Sequence, residues 1–173
     1  LAGVNTVPRV FGQLGGVVVV ANSTFAAIQG GNALKIEWEN GPNADYDSVA
    51  YTKAMSETAA KPGKVARNQG DVDAAFEKAK TVFTTEYQCP HLVQAAMEPP
   101  VAVARIVDGI AEVWAPIQSP YGARKDIATA LKLPIEDVTV HVTLLGGAFG
   151  RKSKWDFMLE AALISQKLGG TPI

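Results

Sequence analysis

The chain has 173 residues, 47% hydrophobic and 19% charged, a composition that suits one good globular core or two small ones. Its 16 basic and 17 acidic residues leave a formal net charge of −1, so no overall field favours nucleic acid or an anionic membrane. One cysteine and two histidines exclude an internal disulfide, a cysteine-ligated cluster and a His-rich metal site, and the longest purely apolar run, residues 17–21, is far below the roughly 20 residues that span a bilayer.

Residues 1–16 contain glycine, are weakly patterned, and show no basic start followed by a secretory apolar stretch. The β-branched run at 17–21 predicts a buried strand. Ser23 can cap a short helix over 24–29, which Gly30-Gly31 can end. Leu34, Ile36 and Trp38 alternate with Lys35, Glu37 and Glu39, the pattern of a half-buried strand. Strand, helix and strand together make a small α/β unit. A turn-rich link over 40–47 leads to a moderately polar helix over 48–60, closed by Pro62-Gly63, and a boundary is placed near 61–66.

After that boundary the pattern restarts. Asp71 can cap a helix that sets Val72, Ala75, Phe76 and Ala79 on one face. Residues 81–87 are rich in strand formers. Cys89, without a partner in the chain, is expected to be a free, buried, structural thiol. Strands at 101–106 and 111–114 flank Asp108-Gly109, a two-residue hairpin signal. Ser119-Pro120 opens a helix to about Leu131, which Leu133-Pro134 stops. Residues 138–143 form a strand, a glycine-rich loop follows, and an apolar helix runs over 154–168 to Gly169-Gly170. Residues 171–173 look like the start of a further strand.

Three features carry possible chemistry. The loop Gly146-Gly147-Ala148-Phe149-Gly150-Arg151 lies between a strand and a helix; glycines let main-chain N–H groups approach a ligand, a helix N-terminus favours an anion or electron-rich oxygen, and Arg151 and Lys152 add positive charge. The plainer alternative is a tight turn with two solvated basic residues. A nucleotide-binding P-loop is disfavoured because Arg151 separates Gly150 from Lys152, and the dinucleotide fingerprint does not match. Gln118 sits where a strand ends and a helix opens, so its amide can face a ligand, cap the helix or satisfy a loop carbonyl. Glu98, followed by Pro99-Pro100, is a carboxylate on a rigid extended segment, whose alternative roles are a structural salt bridge or an acceptor at a helix end.

In this order, Met97-Glu98-Pro99, Trp114-Ala115-Pro116-Ile117-Gln118-Ser119-Pro120, the helix positions Arg124, Ala128 and Leu131, and Gly146 to Arg151 resemble the molybdenum hydroxylases, the family of xanthine dehydrogenase and aldehyde oxidase. Asp156-Phe157 and Glu160-Ala161 resemble the isoquinoline 1-oxidoreductase branch, and residues 17–21, the stretch from Ala26 to Trp38 and Asn40-Gly41-Pro42-Asn43-Ala44 resemble the end of that family's hammerhead domain. The resemblance covers about residues 15–173.

The resemblance implies an internal piece of a molybdopterin-binding large subunit. Residues 1–60 would end a hammerhead-type α/β domain and residues 64–173 would begin the molybdopterin-binding domain, giving an α/β (α+β) chain. Gln118 would lie beside the molybdenum, its amide hydrogen-bonding a ligand of the metal; Gly146, Gly147, Ala148, Phe149, Gly150 and Arg151 would line the cofactor; no residue here would ligate the metal. The intact enzyme would hydroxylate N-heteroaromatics or oxidise aldehydes with oxygen from water, using molybdenum-molybdopterin in its cytosine dinucleotide form, and would pass electrons to an iron–sulfur subunit with two two-iron clusters. It would sit in bacterial cytoplasm or periplasm, with no nucleic-acid or membrane partner. The family's catalytic Glu would fall beyond Ile173, so this chain alone would be inactive and hold no cofactor. Three departures stand out: Ala148 where the family usually has Gly, Gln94 where it commonly has His, and Ser153 where purine-oxidising members carry a Glu, which argues against a purine substrate. The alternative class is a non-catalytic binding module that reuses the fold.

Overall fold

The computed structural model describes residues 15–39, 41, 42 and 44–173. Most of the weakly patterned start, together with Asn40 and Asn43 of the turn-rich link, lies outside the described residues. The first helix, α1, spans Thr24–Ala33, with Ser23 accepting the Ala26 N–H at 3.2 Å as its cap. It runs through Gly30 and Gly31 instead of ending there. Neither glycine takes the left-handed φ that would end a helix, and at Gly30 the missing side chain makes room for Val19, which a methyl group would meet at 2.7 Å.

Two compact units divide the chain, one of Lys35–Leu92 and the other of Val93–Ile173 with the described residues up to Leu34. The smaller unit holds α2, Ser48–Ala59, and α3, Val72–Lys78. Each is capped by an aspartate, Asp47 accepting from Ala50 N–H at 2.7 Å and Asp71 from Ala74 N–H at 2.9 Å. These caps satisfy donors that a helix start leaves unpaired.

The larger unit is built on a three-stranded sheet in the order β1 (Val103–Val107), β2 (Ile110–Ala115), β3 (Val138–Val142). β1 and β2 pair antiparallel around Asp108-Gly109, whose φ values of +50° and +81° fit a tight hairpin with the twist of its strands. β2 and β3 pair parallel, which requires a crossover. That crossover is α4, Pro120–Leu131. Arg124 of α4 fixes the entry to β3 by donating its Nε–H to the carbonyls of Ile135 and Val138, at 3.0 and 2.6 Å. The last helix, α5, spans Asp156–Lys167.

One face of the sheet is covered, α5 lying over β1 and β2 and α4 over β3. Alternation puts Ala104, Ala111, Val113, Ala115 and Val138 inward, where they meet Ile127, Leu131, Met158, Leu159 and Ala162. Small alanines on the strands let the larger helix side chains close on the sheet. Full burial of a side chain such as Ile127 or Leu159 contributes about 1.5–3 kcal/mol. The helices are tied together where Trp155 Nε1–H donates to Asp126 at 2.8 Å. On the open face, Arg105 pairs with Glu112, Glu112 reaches His141 at 3.3 Å, and the Trp114 and His141 rings stack 4.8 Å apart.

Residues 17–21, 34–39 and 81–87 form no strand, contrary to their sequence pattern. A β-rich segment becomes a strand only with a ladder partner, and these segments stay largely exposed instead, Phe83 at 90%. Residues 171–173 come closer to expectation: Ile173 exchanges both main-chain hydrogen bonds with Ala104 on the free edge of β1, at 2.9 and 3.1 Å. Cys89 is free, as expected, but exposed instead of buried: the segment carrying it touches α2 through Glu86 and His91 on either side, and these contacts leave the thiol uncovered.

Candidate functional site

The glycine loop leaves β3 and enters α5 through a single 3₁₀ turn, Arg151–Ser153. Its conformation depends on three left-handed residues, Gly147 at φ +97°, Phe149 at +49° and Gly150 at +90°. Ala148 is not among them, so its methyl group costs the backbone nothing. Phe149 is the strained one. A side chain in this region is disfavoured by about 1–2 kcal/mol, and its ring, 75% exposed, has no packing to offset that. The ring lies beside Gly147, where a methyl group would meet it at 3.3 Å.

The loop is held at both ends by one carboxylate. Glu98 accepts the Gly146 N–H at 2.8 Å and pairs with the ammonium of Lys152 through the same Oε2. The Lys152 bond, then the Gly146 bond, hold the Glu98 carboxyl below its ordinary value of 4.5. Gly146 has no room for a side chain, since a methyl group there would fall 2.7 Å from Glu98 Cβ. Arg151 is forked onto Asp156 by two hydrogen bonds of 2.8 Å, which raise its pKa further. Both basic residues of the loop are therefore committed to carboxylates, and Lys152 is fully buried. The solvated pair that the sequence suggested is not what forms, and neither charge points freely at a ligand.

Gln118 is brought to this loop by its main chain, donating its N–H to the Lys152 carbonyl at 3.0 Å. The helix starts two residues later at Pro120, with Ser119 in the cap position and no side-chain cap bond, so Gln118 is not a cap. Its side chain is exposed and has no partner among the described residues. Likewise, the N–H groups of Gly147, Ala148, Phe149 and Gly150 have no protein acceptor among the described residues. Four successive main-chain donors and one side-chain amide are thus left for a ligand, and polar donors of this kind, held in a fixed backbone, suit anionic or oxygen-rich groups. The set has no carboxylate, thiolate or imidazole aimed into it, so it fits the periphery of a cofactor and not the ligation of a metal. No group of three or more His, Cys, Asp or Glu able to hold a metal occurs among the described residues.

Lys152 is the site residue that sequence reasoning undervalued. A separation of 54 residues hides its pairing with Glu98; only the rigid Glu98-Pro99-Pro100 segment hinted at a fixed carboxylate, and the salt-bridge alternative for it is the one realised. The smaller unit contains a second polar cluster, with the Tyr46 hydroxyl 2.9 Å from His91 Nδ1 and Tyr51 tilted against the same ring.

Residues 56–173 match the molybdopterin cofactor-binding domain family, and the chain belongs to that family. It is 36% identical over 162 residues to the membrane-bound aldehyde dehydrogenase (pyrroloquinoline-quinone) of Gluconacetobacter polyoxogenes, covering 92% of this chain and 21% of that protein. It is 30% identical over 166 residues to isoquinoline 1-oxidoreductase subunit beta of Brevundimonas diminuta, covering 90% and 21%. It is 28% identical over 166 residues to the xanthine dehydrogenase molybdenum-binding subunit of Escherichia coli O157:H7, again covering 90% and 21%. The chain therefore spans about a fifth of the length of these relatives. No helix among its described residues is long and apolar enough to cross a membrane.

Proposed function

We propose that this chain supplies one wall of the cofactor site in a molybdenum-cofactor-dependent oxidoreductase that hydroxylates N-heteroaromatic compounds or oxidises aldehydes. The observation that carries this reading is the main-chain bond from the Gln118 N–H to the Lys152 carbonyl, which joins a residue with an unpaired side-chain amide to the loop whose Gly147 to Gly150 N–H groups have no acceptor among the described residues. The molybdenum cofactor, in its cytosine dinucleotide form, supplies the redox chemistry, with oxygen drawn from water. The chain's residues bind and orient. The Gln118 amide would donate to the cofactor's outer ligand shell, the main-chain donors of Gly147 to Gly150 would face its oxygens, and Phe149 would limit access from solvent. The fork between Arg151 and Asp156 keeps the guanidinium from competing for those oxygens. Ser153, whose hydroxyl is turned back to the Gly150 carbonyl at 2.6 Å, offers no carboxylate to a purine, which favours aldehydes and simple N-heterocycles.

Because the chain covers about a fifth of its relatives' length, turnover is assigned to the intact subunit working with an iron–sulfur partner, in bacterial cytoplasm or periplasm, and not to this chain alone. The division into a hammerhead-type end at 1–60 and a cofactor-binding part at 64–173 belongs to the same proposal and rests on the sequence resemblance. The test is Gln118→Ala in the intact, cofactor-loaded enzyme. Removing one fixed donor should cut turnover per bound molybdenum about 10²–10³-fold with little loss of stability. Normal metal content together with wild-type turnover would sink the role given to Gln118.

A further inference from the structure

A buried ion pair is a poor device for stability alone. Desolvating an ammonium is expensive, and well-packed apolar residues often serve a fold as well or better. Lys152 is nonetheless fully buried and neutralised by Glu98, a residue 54 positions earlier. What the pair secures is geometry. Glu98 Oε2 holds Lys152 at one end of the loop and the Gly146 N–H at the other. The carbonyl of the same Lys152 accepts the Gln118 N–H. A displacement of Lys152 is transmitted to three places: to Glu98, through Glu98 to Gly146, and through its own carbonyl to Gln118.

We propose that Glu98 and Lys152 form a clamp that sets the conformation of the glycine loop and the place of Gln118, making both of them positioning residues for the cofactor-facing donors. The proposal rests on the cofactor reading of the loop for its purpose, but not for its geometry. Neither residue touches the cofactor; each acts through the main chain it holds. The ammonium is needed because only a fixed cation keeps a carboxylate that is one third exposed aimed at Gly146 instead of at solvent.

Amide hydrogen exchange of this chain reads the clamp without any cofactor. In Lys152→Met, the amides of Gly146 and Gln118 are expected to exchange about tenfold faster, the protection of roughly one main-chain bond, while those of Val113 and Ile127 in the core stay unchanged. Lys152→Arg, which keeps the cation, should restore much of the protection. Glu98→Gln, which keeps an oxygen but loses the charge, should expose the same two amides and serves if Lys152→Met does not fold. A uniform rise, or a rise at only one of the two amides, would overturn the clamp. In the intact subunit, Lys152→Met should also weaken molybdenum retention by about 10-fold or more. Faster exchange with unchanged molybdenum content would overturn its positioning role. A wild-type intact subunit that carries no molybdopterin would defeat the proposed function and leave the exchange result standing.

Discussion

Replacing Gly146 by alanine puts the energetics of the loop on trial. Gly146 does not lie in the left-handed region, so alanine suits its backbone, and restriction of the unfolded chain would by itself favour the variant by about 0.4–1 kcal/mol. Against this, the new methyl group would stand 2.7 Å from Glu98 Cβ and 3.3 Å from its Oε2. Glu98 is the group free to yield, and it yields toward solvent. Lys152, with a side chain 0% exposed, cannot follow, and its stranded ammonium costs about 3–5 kcal/mol. The stranded charge wins, and the net loss should be about 2–4 kcal/mol. Urea unfolding followed by far-ultraviolet circular dichroism measures it as a fall in midpoint at constant slope. The decisive comparison is the same substitution in a Lys152→Met background, where no charge remains to be stranded and the loss should shrink below about 1 kcal/mol. Equal losses in the two backgrounds would refute the reasoning.

Three further outcomes are expected. Because hydrogen bonds from Lys152 and Gly146 hold the Glu98 carboxyl below 4.5, its contribution to stability is fully present above that pH and fades as the pH falls through the lower folded value; acid titration of unfolding midpoints should show this loss in the wild type and a smaller one in Lys152→Met. Cys89 is exposed, so an aromatic disulfide reagent should modify it in the native chain within about tenfold of the unfolded rate, and a thiol silent until urea is added would contradict the structure. Gly170→Ala should loosen the edge of β1, since φ is +89° and the methyl group would fall 1.8 Å from the Ile106 carbonyl; a loss of at least about 1–3 kcal/mol is expected from the backbone strain alone, and an unchanged midpoint would count against it.

The larger unit was legible because its signals are local. Asp108-Gly109 needs only two residues to specify a hairpin, and the apolar rows of α4 and α5 repeat within a few turns. Ser23 and Asp71 were found as caps because a cap bonds three residues ahead. The misread strands at 17–21, 34–39 and 81–87 show the limit of the same method, since strand propensity describes one segment and a strand is a property of two. At the site, the glycine loop and Gln118 stood out by residue type, but the fate of the two basic residues did not. Nothing near Arg151 or Lys152 in the sequence says that one forks onto Asp156 five residues on while the other is buried against Glu98. Cys89 was expected inside because free cysteines usually are, a tendency that yields to whatever happens to pack over the segment.

The long reach of the clamp also bears on how the chain acquires its shape. The β1–β2 hairpin closes across two residues, and β3 joins it after the length of one crossover helix, whereas Glu98 and Lys152 must find each other across 54 positions. Loop-closure entropy grows with that distance, and contacts of high sequence separation are the slow ones. The three-stranded sheet with α4 can therefore be in place while the glycine loop and α5, which must return to β1 over a comparable distance, are still searching. The docking of Lys152 behind Glu98 would then come together with the closing of α5 over β1, so that the core and the loop surface are completed in one late step.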